Sequence, residues 1–469
     1  MTASLSRRHF VQQTLAASLG FAGLQALAGC KKDNADYRTR VVPGTVGALQ
    51  KDPAGILDLP KGFRYTILSR QGEKMSDGLK VPGYPDGMAA FPGKGGKVIV
   101  VRNHEVPALF WTSAGAFGEQ LELLHKIQRE DLYDAAVQGA PALGGTTTFV
   151  YDPKTQKLDT QYLSLAGTLR NCAGGPTPWN SWLSCEETVQ SSNSRWKQDH
   201  GYVFEVPASE TIARVKPVPL KEMGRFMHEA VAVDHRTGIV YETEDRKDGL
   251  LYRFLPSVRG KLQQGGELQA LCIRGQKTAD TRNWSSKPDF VPGTSYAVEW
   301  VPLKGVDTAQ DDLRKRGALA GAARFARGEG MWFGRGQVFF ACTTGGVARK
   351  GQIWSYKPSP FEGSGREKES PGTLELLVEP NNSSIVENAD NLTVAPWGDL
   401  IVCEDGPGHD YLLGVTPKGK VYNVARNSLS SAELTGACFS PDGKALFVNL
   451  QQSGLTLAIT GPWPSSRTT

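Results

Sequence analysis

The 469-residue chain lacks the local signatures of the commoner hydrolytic machineries. It has no G-x-x-x-x-G-K-[ST] loop, no G-x-S-x-G elbow and no H-x-x-x-H or H-x-H pair, and its seven histidines are scattered. Walker-type phosphate cradles, serine triads and zinc-histidine centres are therefore excluded as local motifs. No C-x-x-C occurs among the seven cysteines, and a chain of this length buries a core without disulfide staples. Charge of one sign is also scarce: the formal net charge is +5, with no basic cluster interleaved with aromatics, which argues against nucleic acid as a partner. What the chain has in excess is turn chemistry, 53 glycines and 28 prolines spread along its length. That distribution favours many short strands and excludes a long-helix protein.

Ser6-Arg7-Arg8-His9-Phe10 followed by an Ala- and Gly-rich apolar stretch reads as a twin-arginine export signal over residues 1–29. Leu27-Ala28-Gly29-Cys30 resembles a lipobox, so Cys30 is expected to carry lipid and hold the protein to a membrane on the periplasmic side. Because this export route carries folded proteins, a metal inserted before export is expected. Residues 30–60 read as a tether and 61–469 as the catalytic domain.

Six segments of that domain share a strand, glycine turn, strand pattern. They begin at Asp86, Cys172, Glu229, Glu329, Asn391 and Gly436. Most are followed by one or two further strands without βαβ alternation, which predicts an all-β six-bladed β-propeller. Two short helical insertions are expected, at 119–138 from Leu121, Leu124, Ile127 and Leu132, and at 311–326. Gly328 reads as the cap ending the second. Either the strand at 63–68 or the last strand at 455–459 is expected to close the ring.

Superposing the copies brings acids into register. Asp86, Glu229, Glu329 and Asn391 open four first strands, and Cys172 falls nearby in another. The second strands end in His104-Glu105, Glu186-Glu187, Glu244-Asp245, Thr343-Thr344 and Glu404-Asp405. Side chains alternate along a strand, so only one of each adjacent pair faces the axis, and Glu186, Glu244 and Glu404 are expected to be the bystanders. Like charges gathered about a narrow axis repel by several kcal/mol, and bound cations are the natural compensation. Oxygen donors suit hard ions such as calcium and ferric iron. Cys172, in a loop dense in turn residues, is the thiolate candidate, whereas Cys185, Cys342, Cys403 and Cys438 sit in apolar strands and read as buried thiols. Arg327 hands a guanidinium to the same rim.

Several motifs together resemble the PhoX family of bacterial alkaline phosphatases: the twin-arginine signal, Asn103-His104-Glu105, Asn171-Cys172-Ala173-Gly174-Gly175-Pro176-Thr177-Pro178-Trp179 with Cys185-Glu186-Glu187, Gly201-Tyr202-Val203-Phe204-Glu205, Met227-His228-Glu229, Arg327-Gly328-Glu329-Gly330-Met331, and Glu387-Asn388-Ala389-Asp390-Asn391-Leu392 with Cys403-Glu404-Asp405-Gly406. The resemblance implies a propeller whose channel holds two Fe(III) ions, bridged by a cysteine thiolate and an oxo group, with Ca2+ beside them, hydrolysing small-molecule phosphate esters. Carried onto this chain, Cys172 would bridge the irons, Glu187, Glu205, Glu229, Glu329 and Asp405 would supply carboxylates, and Arg327 would grip the phosphate. Asn103, Glu105, Asp86, Asp390 and Asn391 would be further ligands. The expected protein is a monomeric phosphomonoesterase. Its alternatives are a calcium-dependent lactonase-type hydrolase, which needs neither Cys172 nor iron, and a non-catalytic binding propeller, which needs no register of acids.

Overall fold

Strands covered on both faces leave few positions exposed, and the first strand of each repeat is buried along most of its length even where its opening residues are polar or glycine. These strands are β1 (Pro85–Pro92), β2 (Asn171–Pro176), β3 (His228–Val233), β4 (Gly328–Gly334), β5 (Ala389–Val394) and β6 (Leu434–Phe439). The sequence His-Glu-Ala-Val-Ala-Val of β3 is buried at every position. In the computed structural model, which describes residues 38–108 and 111–465, these six strands stand side by side, each packed on the next and β6 returning to β1. Each leads outward through antiparallel partners. The arrangement is all-β and propeller-like, and the residues from Arg40 onward form one compact unit. The signal-like segment 1–29 and Cys30 lie outside the described residues.

Hydrogen bonding divides the strands into five sheets, of three, four, four, six and nine strands. The expectation of six separate blades is met differently between β3 and β4: the outer strand Ser295–Pro302 pairs with Thr373–Val378 and fuses two four-stranded runs and the linking strand into one nine-stranded sheet. Pairing two otherwise open edges removes an aggregation-prone surface, which is why outer strands join where the intervening chain is long enough to reach.

Closure uses both expected strands at once. Arg64–Arg70 pairs antiparallel with Leu455–Thr460 on the outside of the β6 sheet. The segment expected to be a tether contributes as well, since Leu57–Pro60 pairs with Val421–Asn427 outside the β5 sheet and Asp58 meets Arg426 at 3.2 Å.

Of the two expected helical insertions, only the second contains a helix, α1 (Leu313–Leu319), and it stops at Gly321 with φ +110° rather than at Gly328, which instead opens β4. Residues 119–138 hold two single 3-10 turns, Leu124–Lys126 and Arg129–Asp131. Their apolar spacing is real, but it serves tertiary packing: Ile127 and Leu132 bury against Met75, Leu79 and Phe117. Left-handed backbone at Leu121 and Ala136 prevents one helix from running through.

Because ring closure depends on an N-terminal strand, deleting residues 40–70 is expected to lower Tm and to shift the protein toward oligomers through the bared edge of Leu455–Thr460. Size-exclusion chromatography and a thermal melt check this; unchanged elution with wild-type Tm would contradict it.

Candidate active site

All six inner strands carry the same irregularity near their first residue. In β1, Pro85 faces His104 and Met88 faces Arg102, so Asp86 and Gly87 together oppose Asn103. The same two-against-one step occurs at Cys172-Ala173, Glu229-Ala230, Glu329-Gly330, Asp390-Asn391 and Gly436-Ala437. A bulge of this kind bends its strand and re-aims a side chain. In five copies the first bulge residue turns its side chain toward the cluster, the sixth having Gly436 there, and the second is Gly or Ala in every copy but that of Asn391, because neighbouring strands nearly touch. A Cβ on Gly87 would lie 2.6 Å from the Cα of Ala173, and one on Gly330 would lie 2.6 Å from the Cα of Asn391. Beyond the bulges, Trp332 packs against three separate core clusters.

The bulges gather a chain of overlapping groups: Asp86, Glu105 and Cys172; then Cys172, Glu187 and Glu229; then Glu229, Glu329 and Asp390; then Asp390, Asp405 and Glu433. Within each group the donor atoms lie within 4.8 Å of one another. At an effective dielectric of about 20, two like charges at that distance repel by roughly 3 to 4 kcal/mol. Glu229 is the extreme case. Its side chain is 0% exposed and neither carboxylate oxygen has a hydrogen-bond partner. Burial, and then the charges of Glu187, Asp390 and Asp86, push its carboxyl well above the usual range. Burial with Asp86 and Glu229 does the same to the Cys172 thiol. A group so placed is either protonated or facing a cation, and this donor set could hold metal ions. Cys172 Sγ belongs to two adjoining groups, so it is placed to be shared between two ions.

Partial compensation comes from two arginines and an amide. Arg327 grips Asp245 through Nε and Nη2 at 2.7 and 2.8 Å, and its Nη2 lies 2.7 Å from Glu329. Arg170 Nη2 bonds Glu187 and, at 2.7 Å, Glu105. Gln451 Nε2 donates to Asp86 at 2.7 Å and to Glu105 at 3.0 Å. None of these reaches Glu229.

The expected ligands divide accordingly. Asp86, Glu105, Cys172, Glu187, Glu229, Glu329, Asp390 and Asp405 are brought together. Glu205 is not: its Oε1 accepts from Trp179 Nε1 and Ser181 Oγ, both at 2.6 Å, and it braces the loop after Cys172 instead. Asn103 spends its amide on the carbonyls of Cys172 and Ala173 and accepts from Trp182 and Ser184, so it seats the β2 bulge rather than presenting a free oxygen. The register placed Asn391 first in its strand; the bulge shows that Asp390 holds that place, while Asn391 accepts from the Gly436 N–H and ties β5 to β6.

Three residues of this end were missing from the expected set. Asp245 faces this end, as the Glu244-Asp245 alternation implies, but it is not among the ligands that the resemblance carries over. Glu433 stands just before β6, the copy whose bulge residue is Gly436, and an acid beside an otherwise ligand-less repeat was the available signal. Arg170 had no signal beyond its place two residues before Cys172, matching Arg327 before Glu329.

The second-strand alternation holds, with a correction. Glu186, Glu244 and Glu404 do turn away from the cluster, yet each is wholly buried and bonded. Glu186 accepts from His200 at 2.6 Å and from the N–H groups of Leu169 and Gly201. Glu244 accepts from Tyr252 at 2.7 Å, and Glu404 accepts from the Glu387 N–H at 2.8 Å. They anchor the loops that carry the inward acids, so Glu186→Gln, though it changes a residue that faces away from the cluster, would weaken the fold.

Comparison with known families decides among the activities. The profile of alkaline phosphatase PhoX matches residues 44–454. The chain belongs to the PhoX family. It is a phosphoester hydrolase, and the lactonase and pure-binding alternatives fall away. The fold of this PhoX-family chain resembles that of Pseudomonas fluorescens PhoX solved with vanadate, a transition-state analogue, at TM-score 0.60 and 18% identity, covering 87% of this chain and 96% of that one. A Bacteroides thetaiotaomicron protein of unknown function (TM-score 0.42, 9% identity, 85% and 76% covered) and a Xanthomonas campestris gluconolactonase (TM-score 0.36, 9% identity, 85% and 98% covered) resemble it more loosely. A search of curated proteins found no match.

Two outcomes are expected from this geometry. In metal-free protein Glu229 is buried on folding only by taking up a proton, its pKa being raised there, and Glu229→Gln, which needs none, should stabilise the fold at neutral pH by on the order of 1 to 3 kcal/mol, read as a raised Tm after chelation; a lowered Tm would mean that Glu229 has a structural partner. His200 is buried, which alone would depress its pKa, but Glu186 and Asp134 raise it to about 9. Its protonated form therefore adds stability in full below about pH 6.5, lost as pH rises through about 9, amounting to about 3 kcal/mol. Denaturant melts of wild type and His200→Gln should differ most below pH 6.5 and converge above pH 9.

Proposed function

We propose that this PhoX-family chain is a metal-dependent phosphomonoesterase of the bacterial cell envelope. In this reading the nine-stranded sheet counts as two blades, the ring is a six-bladed propeller, and its acidic end holds ferric iron and calcium. The protein is exported by the twin-arginine route, tethered in the periplasm through lipid on Cys30, and works as a monomer. The observation that carries the metal assignment is Glu229, a buried carboxylate with two unpartnered oxygens at the junction of a thiol and seven further carboxylates. Only two guanidiniums pair with that cluster among the described residues, so cations are the compensation that fits.

Cys172, Glu187 and Glu229 would hold the iron side and Glu329, Asp390, Asp405 and Glu433 the other, with Asp86 and Glu105 completing the first group. When bound, such ions supply Lewis acidity toward phosphoryl oxygens and lower the pKa of water, so no serine or histidine nucleophile is needed. The chain's own residues bind and orient. Asp245 fixes the Arg327 fork through two parallel hydrogen bonds, which leaves Nη1 to donate to an equatorial phosphoryl oxygen as charge redistributes in an in-line displacement. That the Pseudomonas fluorescens relative was solved with vanadate, a transition-state analogue, supports a phosphoryl-shaped ligand for this chain.

Metal analysis of exported protein, with a phosphomonoester assay, tests the reading. Iron and calcium should both be present, with a visible thiolate-to-iron absorption band. Cys172→Ser should lose the band and on the order of 100-fold or more in kcat/KM, while Cys342→Ala, whose thiol is buried in a strand, keeps both. Colourless wild type without phosphomonoesterase activity would overturn it.

A further inference from the structure

We infer that Arg170 is a second phosphate-contacting residue, acting opposite Arg327 across the Cys172–Glu187–Glu229 group. The inference rests on the phosphatase reading and deepens it. Arg170 and Arg327 occupy the same place in their repeats, two residues before the bulge residues Cys172 and Glu329. Both adopt left-handed backbone, with φ of 47° and 54°. For a side chain with a Cβ that conformation costs on the order of 1 kcal/mol or more and persists where surrounding structure enforces it. Tyr84 and Asn388 repeat it at the matching positions before Asp86 and Asp390, with φ of 49° and 54°. A collar of strained residues thus stands at the mouth of the acid cluster, and two of them are arginines.

Arg327 is fastened along its Nε–Nη2 edge, whereas Arg170 is fastened through Nη2 alone, its Nε being buried without a hydrogen-bond partner. Arg170 gives Nη2 to Glu105 and Glu187, and Arg327 gives Nε and Nη2 to Asp245 and Glu329. The Nη1 group of neither arginine hydrogen-bonds to the described protein. The carboxylates are covered, with side chains 14, 7, 9 and 4% exposed, while the Arg170 and Arg327 side chains are 38 and 33% exposed. If Arg170 served only to neutralise Glu105 and Glu187, a compact ammonium would do as well. A planar fork held in part by carboxylates, with Nη1 unbonded to the described protein, is the arrangement that suits phosphate oxygens. Two such forks flanking the site can each take one non-bridging oxygen of the phosphoryl group.

The test compares wild type, Arg170→Lys and Arg170→Gln, each loaded with metal. It reads metal content, Tm, and the Kd of inorganic phosphate and of vanadate by calorimetry. Arg170→Lys keeps the charge but loses the fork. It should keep metal content and Tm yet weaken both anions about 10-fold, with Arg170→Gln weaker still. Unchanged Kd values in Arg170→Lys would overturn the inference and leave Arg170 as a charge balancer. Loss of metal from Arg170→Lys would overturn it too, because Arg170 would then be holding the cluster together. Failure of the phosphatase reading is separately visible: wild type itself would bind neither anion and hydrolyse no phosphomonoester.

Discussion

The interaction on which the rest of the structure depends is the mutual repulsion of buried carboxylates around the ring axis. Eight carboxylates and a thiol converge there in overlapping groups, and such an assembly opens unless the scaffold prevents it. The scaffold does so by closing the ring with strands from both ends of the domain and by crowding the inner strands until only Gly87 and Gly330 fit at two of the approaches. Uncompensated charge at this point is at once what the fold must withstand and what a bound cation would relieve. The site's affinity and the fold's rigidity are therefore two sides of one electrostatic problem.

A repeated bulge solves the geometry. A regular strand would send alternate side chains into the flanking cores, and none would point squarely along the channel. One extra residue per inner strand re-aims a single side chain toward the axis without disturbing the apolar alternation that follows. The adjacent acids on the second strands complete the device by dividing labour. Glu105, Glu187, Asp245 and Asp405 lie at the cluster, while Glu186, Glu244 and Glu404 turn into the core and tie down the loops through His200, Tyr252 and the Glu387 N–H. The buried anchors contribute rigidity, and the inward acids contribute chemistry.

Arginine adds what carboxylates cannot. A cluster of acids repels a phosphate ester, so substrate binding needs donors that survive beside the acids and still face outward. In the proposed reading Arg327 and Arg170 meet that need, because carboxylates hold part of each guanidinium and leave Nη1 unbonded to the described protein. Burial works against the charged form of Arg327, but Glu329 and Asp245 hold it firmly protonated.

Much of this was legible in the chain itself. Strand, turn and acid recur at intervals short enough for local patterning to reveal, so the all-β ring, the acids near its axis and the import of Cys172 follow from residue order, helped by a family resemblance. Tertiary structure decided what depends on register and on distant partners. Whether Asp390 or Asn391 faces the axis turns on a single inserted residue, and period-two alternation makes a one-residue error exchange the two faces. Glu205 matched a family motif but is claimed by Trp179 and Ser181, contacts its own strand cannot announce. Residues 119–138 carry helical spacing that left-handed backbone and packing on Met75 and Leu79 override. Glu433 meets Asp390 and Asp405, and Arg170 meets Glu105, only because neighbouring repeats pack about one axis, and no pattern within a repeat encodes a contact with the next one.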